Sequence, residues 1–358
     1  MSWNRVKEGR CHISRPDPIN IILMGFGNVG RAFLQVAHEK KELCLKRYGL
    51  ELRFISIFEI EGALFSAASL DTSEFLEKSA SQLAAHLHWR PGLKLEQVLK
   101  EVKPGVLVEC TPSNIKTGEP GLSNLRKALS KGWNVAVANK GPLVVDFKSL
   151  KQLAQKNRAT LKFSGATAAA LPTLDVGLFS LAGAEILRIE GILNGTTNYI
   201  LTRMEEGISY EEALREAQAK GIAEADPSLD VEGWDTASKI LLIANEVMEK
   251  DFVLNDVKVE GITNIPSELL HRAKKEAKVL KLLGRLWKEE KEFRIEVALS
   301  PIDHSHPLFG VNGTNKGISF FTDTMGAVTV TGGKSDPKGA AASLLKDIIN
   351  IYRIGKQN

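Results

Sequence analysis

Short apolar runs recur along the first half of the chain, and each is followed by polar or glycine-rich residues and a helix-like segment. The runs at 19–24, 106–110 and 135–138 are continuous, as expected of parallel strands buried on both faces. Residues 52–58 form a further run of this kind. Strands that alternate with helices predict an α/β fold with an open parallel sheet.

The second half of the chain shows a different pattern, in which apolar and polar residues alternate as in half-buried strands. This alternation predicts strands at 185–193 and 292–299. The other predicted elements are strands near 317–322 and 327–331, a charged amphipathic helix at 266–288 and a final helix at 338–352. We therefore expect this part of the chain to be α+β.

A glycine-rich turn follows the first strand directly. It reads Gly25-Phe26-Gly27-Asn28-Val29-Gly30 and leads into a helix-like segment. The order of strand, G-x-G-x-x-G and helix is typical of dinucleotide-binding sites, because the glycines allow a tight turn, a close approach to the pyrophosphate and close helix packing. An ordinary glycine turn is the alternative, and the strand and helix on either side disfavour it. The turn predicts that the chain binds NAD or NADP.

Glu59 stands at the end of the second predicted strand. An acid at that position usually binds the ribose hydroxyls of NAD and repels a 2′-phosphate. Its distance from the glycines exceeds the usual spacing of about 20 residues, and a longer helix across 38–51 would account for the difference. A solvated loop acid is the alternative. The position favours NAD and leaves NADP open.

Polar residues follow two further predicted strands at their carboxyl ends. Thr111-Pro112 comes after one strand, and Asn139-Lys140 comes after the next. Ligands bind at the carboxyl ends of the strands in open α/β sheets. All four residues are therefore predicted to contact the cofactor, although a lysine at such an edge is commonly just exposed.

The stretch 221–239 concentrates acidic residues before a helix that begins after Gly233. Asp235 and Lys239 share a face of that helix, because residues at i and i+4 point the same way. The helix is strongly apolar from Ile240 onward and is expected to be mostly buried, so this pair would lie at the edge of a pocket. The alternative is an acidic loop followed by a surface ion pair, which contributes little.

Length, charge, apolar runs and cysteine spacing limit the classes of protein to which the chain can belong. The chain has 358 residues, enough for two domains, and a mild formal net charge of +4 without a dense basic stripe, so no nucleic-acid partner is expected. The apolar runs are too short to span a bilayer, and the first 18 residues contain no signal-peptide core and are expected to be a flexible extension. Three widely spaced cysteines fit a reducing cytoplasm.

A metal site is not expected. The segment Asp303-His304-Ser305-His306 places two histidines close together in the sequence, but a third ligand does not cluster with them. We therefore predict that this segment is a surface loop.

Four motifs combine into a family resemblance. The glycine turn and Asn139-Lys140 are joined by Gly-Ile-Leu-Asn-Gly-Thr-Thr-Asn-Tyr-Ile-Leu at 191–201 and by the long acidic motif at 221–239. Together they closely resemble homoserine dehydrogenase from about residue 19 to the end of the chain. The resemblance implies NAD(P)-dependent interconversion of L-homoserine and L-aspartate 4-semialdehyde, in the biosynthesis of threonine, methionine and isoleucine.

The resemblance also implies roles for individual residues. Lys239 is expected to be the acid–base group, oriented by Asp235, with Lys140 positioning the reacting oxygen, and the two lysines could exchange roles. The residues expected to bind the substrate are Glu224, Gly195, Thr196 and Asp230. A dehydrogenase of the same fold for another small amino alcohol or semialdehyde, and a silent nucleotide-binding sensor, remain as alternatives.

The resemblance further implies a domain plan. Residues 1–163 and 325–358 are expected to form a Rossmann-type nucleotide-binding domain, and residues 164–324 an α+β domain that binds substrate and forms a homodimer. An aspartokinase or a C-terminal regulatory domain is not expected. Ser164 stands where the family usually has an acid that helps to hold a monovalent cation, which puts a sodium site near 167–169 in doubt. The segment 332–337 also departs from the family's glycine–alanine loop.

Overall fold

The computed structural model describes residues 18–290, 292–333 and 336–354. The extension expected over the first 18 residues lies almost entirely outside this part of the chain. Two sheets organise the described residues, and the site lies between them.

Seven strands form the first sheet in the order β4-β3-β2-β1-β5-β6-β7. In chain order they are β1 (Ile19–Met24), β2 (Leu52–Glu59), β3 (Gly62–Phe65), β4 (Trp89–Pro91), β5 (Val106–Glu109), β6 (Asn134–Val137) and β7 (Leu161–Lys162). Strands β2, β1, β5, β6 and β7 pair in parallel, and β1 is buried along its whole length. The apolar runs thus became central strands, as predicted.

The sequence did not predict β3 and β4, which add an antiparallel edge to this sheet. Two short 3₁₀ helices, Thr72–Phe75 and Ala80–Ala85, connect β3 to β4. A Cβ at Gly62 would lie 2.5 Å from the carbonyl oxygen of Arg90, so a glycine permits the close pairing of the two edge strands.

Helices cover both sheets. They are α1 (Asn28–Glu39), α2 (Leu95–Glu101), α3 (Gly121–Ser130), α4 (Lys140–Lys156), α5 (Ser164–Ala168), α6 (Gly195–Glu205), α7 (Tyr210–Ala219), α8 (Ser228–Val231), α9 (Trp234–Val247), α10 (Ser267–Lys275) and α11 (Pro337–Ile354). The C-terminal helix α11 packs beside α1 and buries Leu344 and Ile348 in the same core as Phe33, so the end of the chain completes the nucleotide-binding layer. The longer helix expected across 38–51 is present as a helical continuation of α1 after Lys40, made of a short α-helix (Lys41–Leu43) and a π-helix (Cys44–Tyr48).

The second sheet has six strands in the order β13-β12-β8-β10-β11-β9. They are β8 (Ile186–Ile192), β9 (Lys258–Val259), β10 (Val279–Glu289), β11 (Glu292–Ile302), β12 (Gly317–Thr322) and β13 (Ala327–Thr331). The helix predicted at 266–288 is wrong in its second half, because β10 pairs there with β8 and β11. The sheet also extends to Thr331, beyond the expected domain boundary at 325.

Helix α9 lies against the second sheet. The position of a Cβ at Gly284 on β10 is 3.1 Å from side-chain atoms of Thr236 and Ile240, so the glycine lets the helix approach the sheet closely. The first turns of α9 thereby face the carboxyl ends of β5 and β6. The fold confirms the predicted α/β nucleotide-binding domain with a second α+β sheet. The helices in the described ranges include none that is long and apolar enough to cross a bilayer.

Candidate active site

A cavity of about 770 Å³ lies between the two sheets. Eight residues predicted from the sequence line it: Val29, Lys140, Gly195, Thr196, Glu224, Asp230, Asp235 and Lys239. They come from both halves of the chain, so the fold brings together the predicted catalytic and substrate-binding groups.

Asp235 lies at the centre of this group. Its two carboxylate oxygens each accept a hydrogen bond from a lysine ammonium at 2.6 Å, one from Lys140 and one from Lys239. Lys239 also donates to the carbonyl oxygen of Leu193 at 2.8 Å. Asp235 is only 8% exposed, so this is a buried pair and not the surface ion pair that the sequence left open.

The charges in this cluster are strongly coupled. Burial by itself would raise the pKa of Asp235, but the ammonium groups of Lys140 and Lys239 outweigh it and hold that pKa well below its usual range. The carboxylate of Asp235 in turn raises the pKa of Lys140, against the opposing effect of burial. Lys140 therefore keeps its proton at neutral pH.

Asn194 is a site residue that the prediction did not include. Its side-chain amide donates to Asp230 at 2.7 Å and to Asp235 at 2.8 Å. Its side-chain oxygen accepts from the backbone N–H of Thr197 at 2.9 Å and caps helix α6. The position directly before Gly195 in the 191–201 motif was the available signal.

The predicted substrate residues surround this amide. Burial raises the pKa of Asp230, and the neighbouring charge of Asp235 adds to the effect. The hydroxyl of Thr196 donates to the carbonyl oxygen of Ile222 at 3.1 Å, which ties the start of α6 to the acidic stretch. Glu224 is exposed on the cavity wall, where its carboxylate can meet a ligand.

The glycine turn has the geometry of a dinucleotide cradle. A Cβ at Gly25 (φ +86°) would lie 2.9 Å from the carbonyl oxygen of Cys110, and one at Gly30 would lie 2.1 Å from that of Gly25. At Gly27 a Cβ would meet nothing within 4 Å, so the backbone there is open to a ligand. The cradle fits a pyrophosphate at the start of α1.

The other residues of the turn lie around it. Asn28 begins α1 and accepts a hydrogen bond from Arg31 at 2.9 Å. The Glu59 carboxylate accepts a hydrogen bond from the backbone N–H of Phe26. This contact places the acid beside the glycine turn, so Glu59 is not the solvated loop acid that was the alternative.

Asn139 joins the carboxyl ends of β5 and β6. Its side chain donates to Thr111 Oγ1 and to the carbonyl oxygen of Pro112, both at 3.2 Å, while its own oxygen caps α4 at Gly141. Glu109, fully buried beneath them, accepts the backbone N–H and hydroxyl of Thr111. Four of the predicted cofactor residues therefore form one connected edge that ends at Lys140.

Segment 164–169 is hydrogen-bonded to the C-terminal part of the chain. Ser164 bonds through its backbone and hydroxyl to Asp347 on α11. The carbonyl oxygen of Ala168 accepts the ammonium of Lys316 at 2.5 Å. Among the described residues, no three His, Cys, Asp or Glu side chains come together as a metal site would require. Lys334 and Ser335 of segment 332–337 lie outside the described residues.

Comparison with known proteins decides the family. Two family models match, homoserine dehydrogenase over residues 172–349 and the homoserine dehydrogenase NAD-binding domain over residues 25–164. A homoserine dehydrogenase of Methanocaldococcus jannaschii is 38% identical over 342 residues, which cover 95% of this chain and 100% of the relative. The chain belongs to the homoserine dehydrogenase family.

Further relatives support the same conclusion. An NAD(+)-dependent homoserine dehydrogenase of Pseudomonas canavaninivorans is 33% identical and covers 93% of this chain and 96% of its own length. A hyperthermophilic archaeal homoserine dehydrogenase in complex with NADPH superposes with a TM-score of 0.80 at 26% identity, covering 94% of this chain and 98% of that one. Members of the family are NAD(P)-dependent oxidoreductases that act on a CH–OH group, and this chain is one of them.

Proposed function

We propose that the cavity between the two sheets is where L-homoserine and L-aspartate 4-semialdehyde are interconverted, with Lys239 as the acid–base group. The observation that carries the proposal is the pair of lysines on Asp235, each at 2.6 Å and each lining the cavity. In this arrangement both lysines are held on one carboxylate at the cavity wall, so a substrate oxygen bound beside Asp235 can contact either of them.

The two lysines have different roles in the proposal. Asp235 raises the pKa of Lys140, which keeps its proton and donates a hydrogen bond to the reacting oxygen. In its neutral amine form Lys239, held on the next turn of α9 by Asp235 and the Leu193 carbonyl, takes the hydroxyl proton as the alcohol becomes an aldehyde, and the amine becomes an ammonium. When bound, the oxidised nicotinamide ring accepts the hydride. Reduction runs the same proton transfer in reverse.

The rest of the cavity orients the amino acid. Glu224 binds its α-ammonium group, and the backbone around Gly195 and Thr196 at the start of α6 contacts the substrate directly. Asp230 completes the polar wall through its hydrogen bond with Asn194.

Cofactor binding is assigned to the first sheet. The turn at 25–30 holds the pyrophosphate, and Thr111, Pro112, Asn139 and Lys140 face the nicotinamide end. Glu59 binds the adenosine ribose and disfavours a 2′-phosphate, which favours NAD over NADP.

The test is the reduced-nicotinamide absorbance change when purified protein receives L-homoserine with NAD and, separately, with NADP at alkaline pH. We expect turnover with both cofactors or with NAD alone. Lys239→Ala should lower kcat by about 100-fold or more while leaving cofactor affinity nearly intact. Lys148→Ala, in an exposed ion pair with Asp251, is the matched control. A Lys239→Ala enzyme with normal kcat would overturn the acid–base assignment, and a loss confined to Lys140→Ala would reverse the two roles.

Assembly and location are further parts of the proposal. We expect a nucleotide-binding domain completed by α11 and a second domain built on the six-stranded sheet, which forms a homodimer. The cysteine usage favours the cytoplasm. Sedimentation equilibrium of the purified chain measures the oligomeric state, and a monomer at micromolar concentration would contradict the dimer.

A further inference from the structure

Lys316 is a cavity residue with no role in the mechanism above. It stands immediately before β12, lines the same cavity as Lys140 and Lys239, and is 2% exposed. Its ammonium donates to the carbonyl oxygen of Ala168, 148 residues earlier in the chain, at 2.5 Å. A buried lysine on a cavity wall calls for a chemical explanation, because burying an ammonium without a counter-charge is costly.

The segment that carries Lys316 is held in place by the substrate-binding helix α6. The side-chain amide of Asn198 donates to the carbonyl oxygens of Val311 and Asn315, at 3.1 Å and 3.0 Å. The hydroxyl of Thr202 accepts the backbone N–H of Gly313 at 3.0 Å. The helix whose first residues line the cavity therefore also fixes the backbone on the approach to Lys316.

The hydrogen-bonding capacity of Lys316 is only partly used. An ammonium carries three N–H donors. Within residues 18–290, 292–333 and 336–354, the Lys316 ammonium has one hydrogen-bond partner, the neutral Ala168 carbonyl, and no carboxylate within 4.0 Å. Lys140 and Lys239 are both paired with Asp235. Of the three cavity lysines, Lys316 is thus the one that is not paired with a carboxylate among the described residues, and it keeps donors for an anion.

The charges of the substrate indicate what that anion is. L-Homoserine carries an ammonium, a hydroxyl and a carboxylate, and the proposed function assigns the first to Glu224 and the second to the two lysines on Asp235. The carboxylate remains to be placed on a wall where the start of α6 and Lys316 are the positive features, and Asp230 and Asp336 are acidic. We propose that Lys316 binds the α-carboxylate of the substrate and so selects an α-amino acid over a plain amino alcohol, an assignment that rests on the proposed function.

The electrostatics of Lys316 agree with this role. Burial and, to a smaller extent, the nearby charge of Lys239 lower its pKa to about 7, against the opposing charges of Asp235 and Asp336. A bound carboxylate adds a counter-charge and favours the ammonium form. Above pH 7 the substrate should therefore bind together with a proton.

The experiment compares L-homoserine with 3-aminopropan-1-ol, which keeps the amine and hydroxyl at the same spacing and lacks the carboxylate. We expect Lys316→Met to raise KM for L-homoserine and to lower kcat/KM by at least about 30-fold, with a much smaller change in kcat. The same substitution should change kcat/KM for 3-aminopropan-1-ol by less than about threefold. Lys148→Met is the control for loss of a surface lysine.

A second measurement uses the wild-type protein and does not depend on folding of the variant. Calorimetric titration of the NADH-bound protein at pH 8, in two buffers of different ionisation enthalpy, should show proton uptake with L-homoserine and none with 3-aminopropan-1-ol.

Three outcomes would overturn the assignment. The first is an unchanged kcat/KM of Lys316→Met with L-homoserine. The second is an equal loss of kcat/KM with both substrates, which would mean that Lys316 only supports the Ala168 segment. Binding of L-homoserine without proton uptake would contradict it independently. Failure of the proposed function is distinguishable, since the wild-type protein would then not turn over L-homoserine at all.

Discussion

The ammonium of Lys140 lies 2.6 Å from the carboxylate of Asp235, and this ion pair connects the first sheet to the second. Lys140 begins the helix that follows β6, whereas Asp235 lies in the first turn of the helix packed on β10. Neither half of the chain contains both groups. The reacting end of the cavity therefore exists only where the two sheets meet.

Asp235→Asn should lower kcat/KM for L-homoserine by about 100-fold, because both lysines lose the anion that orients them, and misplacement by about 1 Å can cost that much. Cofactor affinity, measured by quenching or enhancement of NADH fluorescence, should stay within about twofold. Asp251→Asn, in an exposed pair with Lys148, is the control. Full activity of Asp235→Asn would show that the lysines need no orienting carboxylate.

Glu59→Gln should shift cofactor preference toward NADP. The carboxylate beside the glycine turn repels a 2′-phosphate, and removing one such like-charge contact should change the NAD/NADP ratio of kcat/KM by at least about tenfold. Glu61→Gln, two residues later and exposed, should change the ratio much less. If both variants kept the wild-type ratio, the preference would have to come from elsewhere in the site.

Glu109→Ala should destabilise the fold by about 2–4 kcal/mol, measured by urea unfolding. The buried carboxyl accepts the backbone N–H of Thr111 at 2.8 Å and the side-chain amide of Asn124 at 3.0 Å, and the substitution leaves both donors unpaired. Glu96→Ala, which removes a surface pair with Lys127, should cost less than about 1 kcal/mol. Equal losses of unfolding free energy for the two variants would mean that the buried carboxyl of Glu109 stabilises the fold no more than a surface ion pair does.

The stability contribution of Lys316 should depend on pH. Its pKa is about 7 in the folded chain against 10.5 for an unperturbed lysine, so between these values the unfolded state binds more protons and the folded state gains stability as pH rises. Below pH 7 both states are protonated, and the cost of burying the charge is fully present. The melting temperature of the wild type relative to Lys316→Met should therefore increase from pH 6 to pH 9. A constant difference across that range would show that the pKa of Lys316 is not lowered.

Local patterns predicted the parts of the fold that depend on local burial. The runs that became β1, β5 and β6 are apolar because both faces of the parallel sheet are covered. Burial on both faces requires consecutive apolar residues, and such a run is visible in the sequence. Segment 279–288 is also rich in apolar residues, but such a run is compatible with a helix as well as with a strand. It forms a strand because it pairs with β8, more than 90 residues earlier in the chain.

The candidate site divides in the same way. Asp235 and Lys239 are four residues apart, so their shared face followed from helix geometry alone. Lys316 is brought to the cavity by a contact with Ala168 and by anchoring to Asn198, both more than 100 residues away. No spacing in the sequence marks such a residue, and only the tertiary fold identifies it.

Asn194 acts as a spacer of fixed length between two acids. Both of its amide hydrogens go to carboxylates, one on Asp230 and one on Asp235, and its oxygen is taken by the N–H of Thr197. An aspartate at this position would place a third anion among the other two, and a leucine would remove the donor that the two acids share. The separation of the two acids is thus set by the dimensions of one amide group.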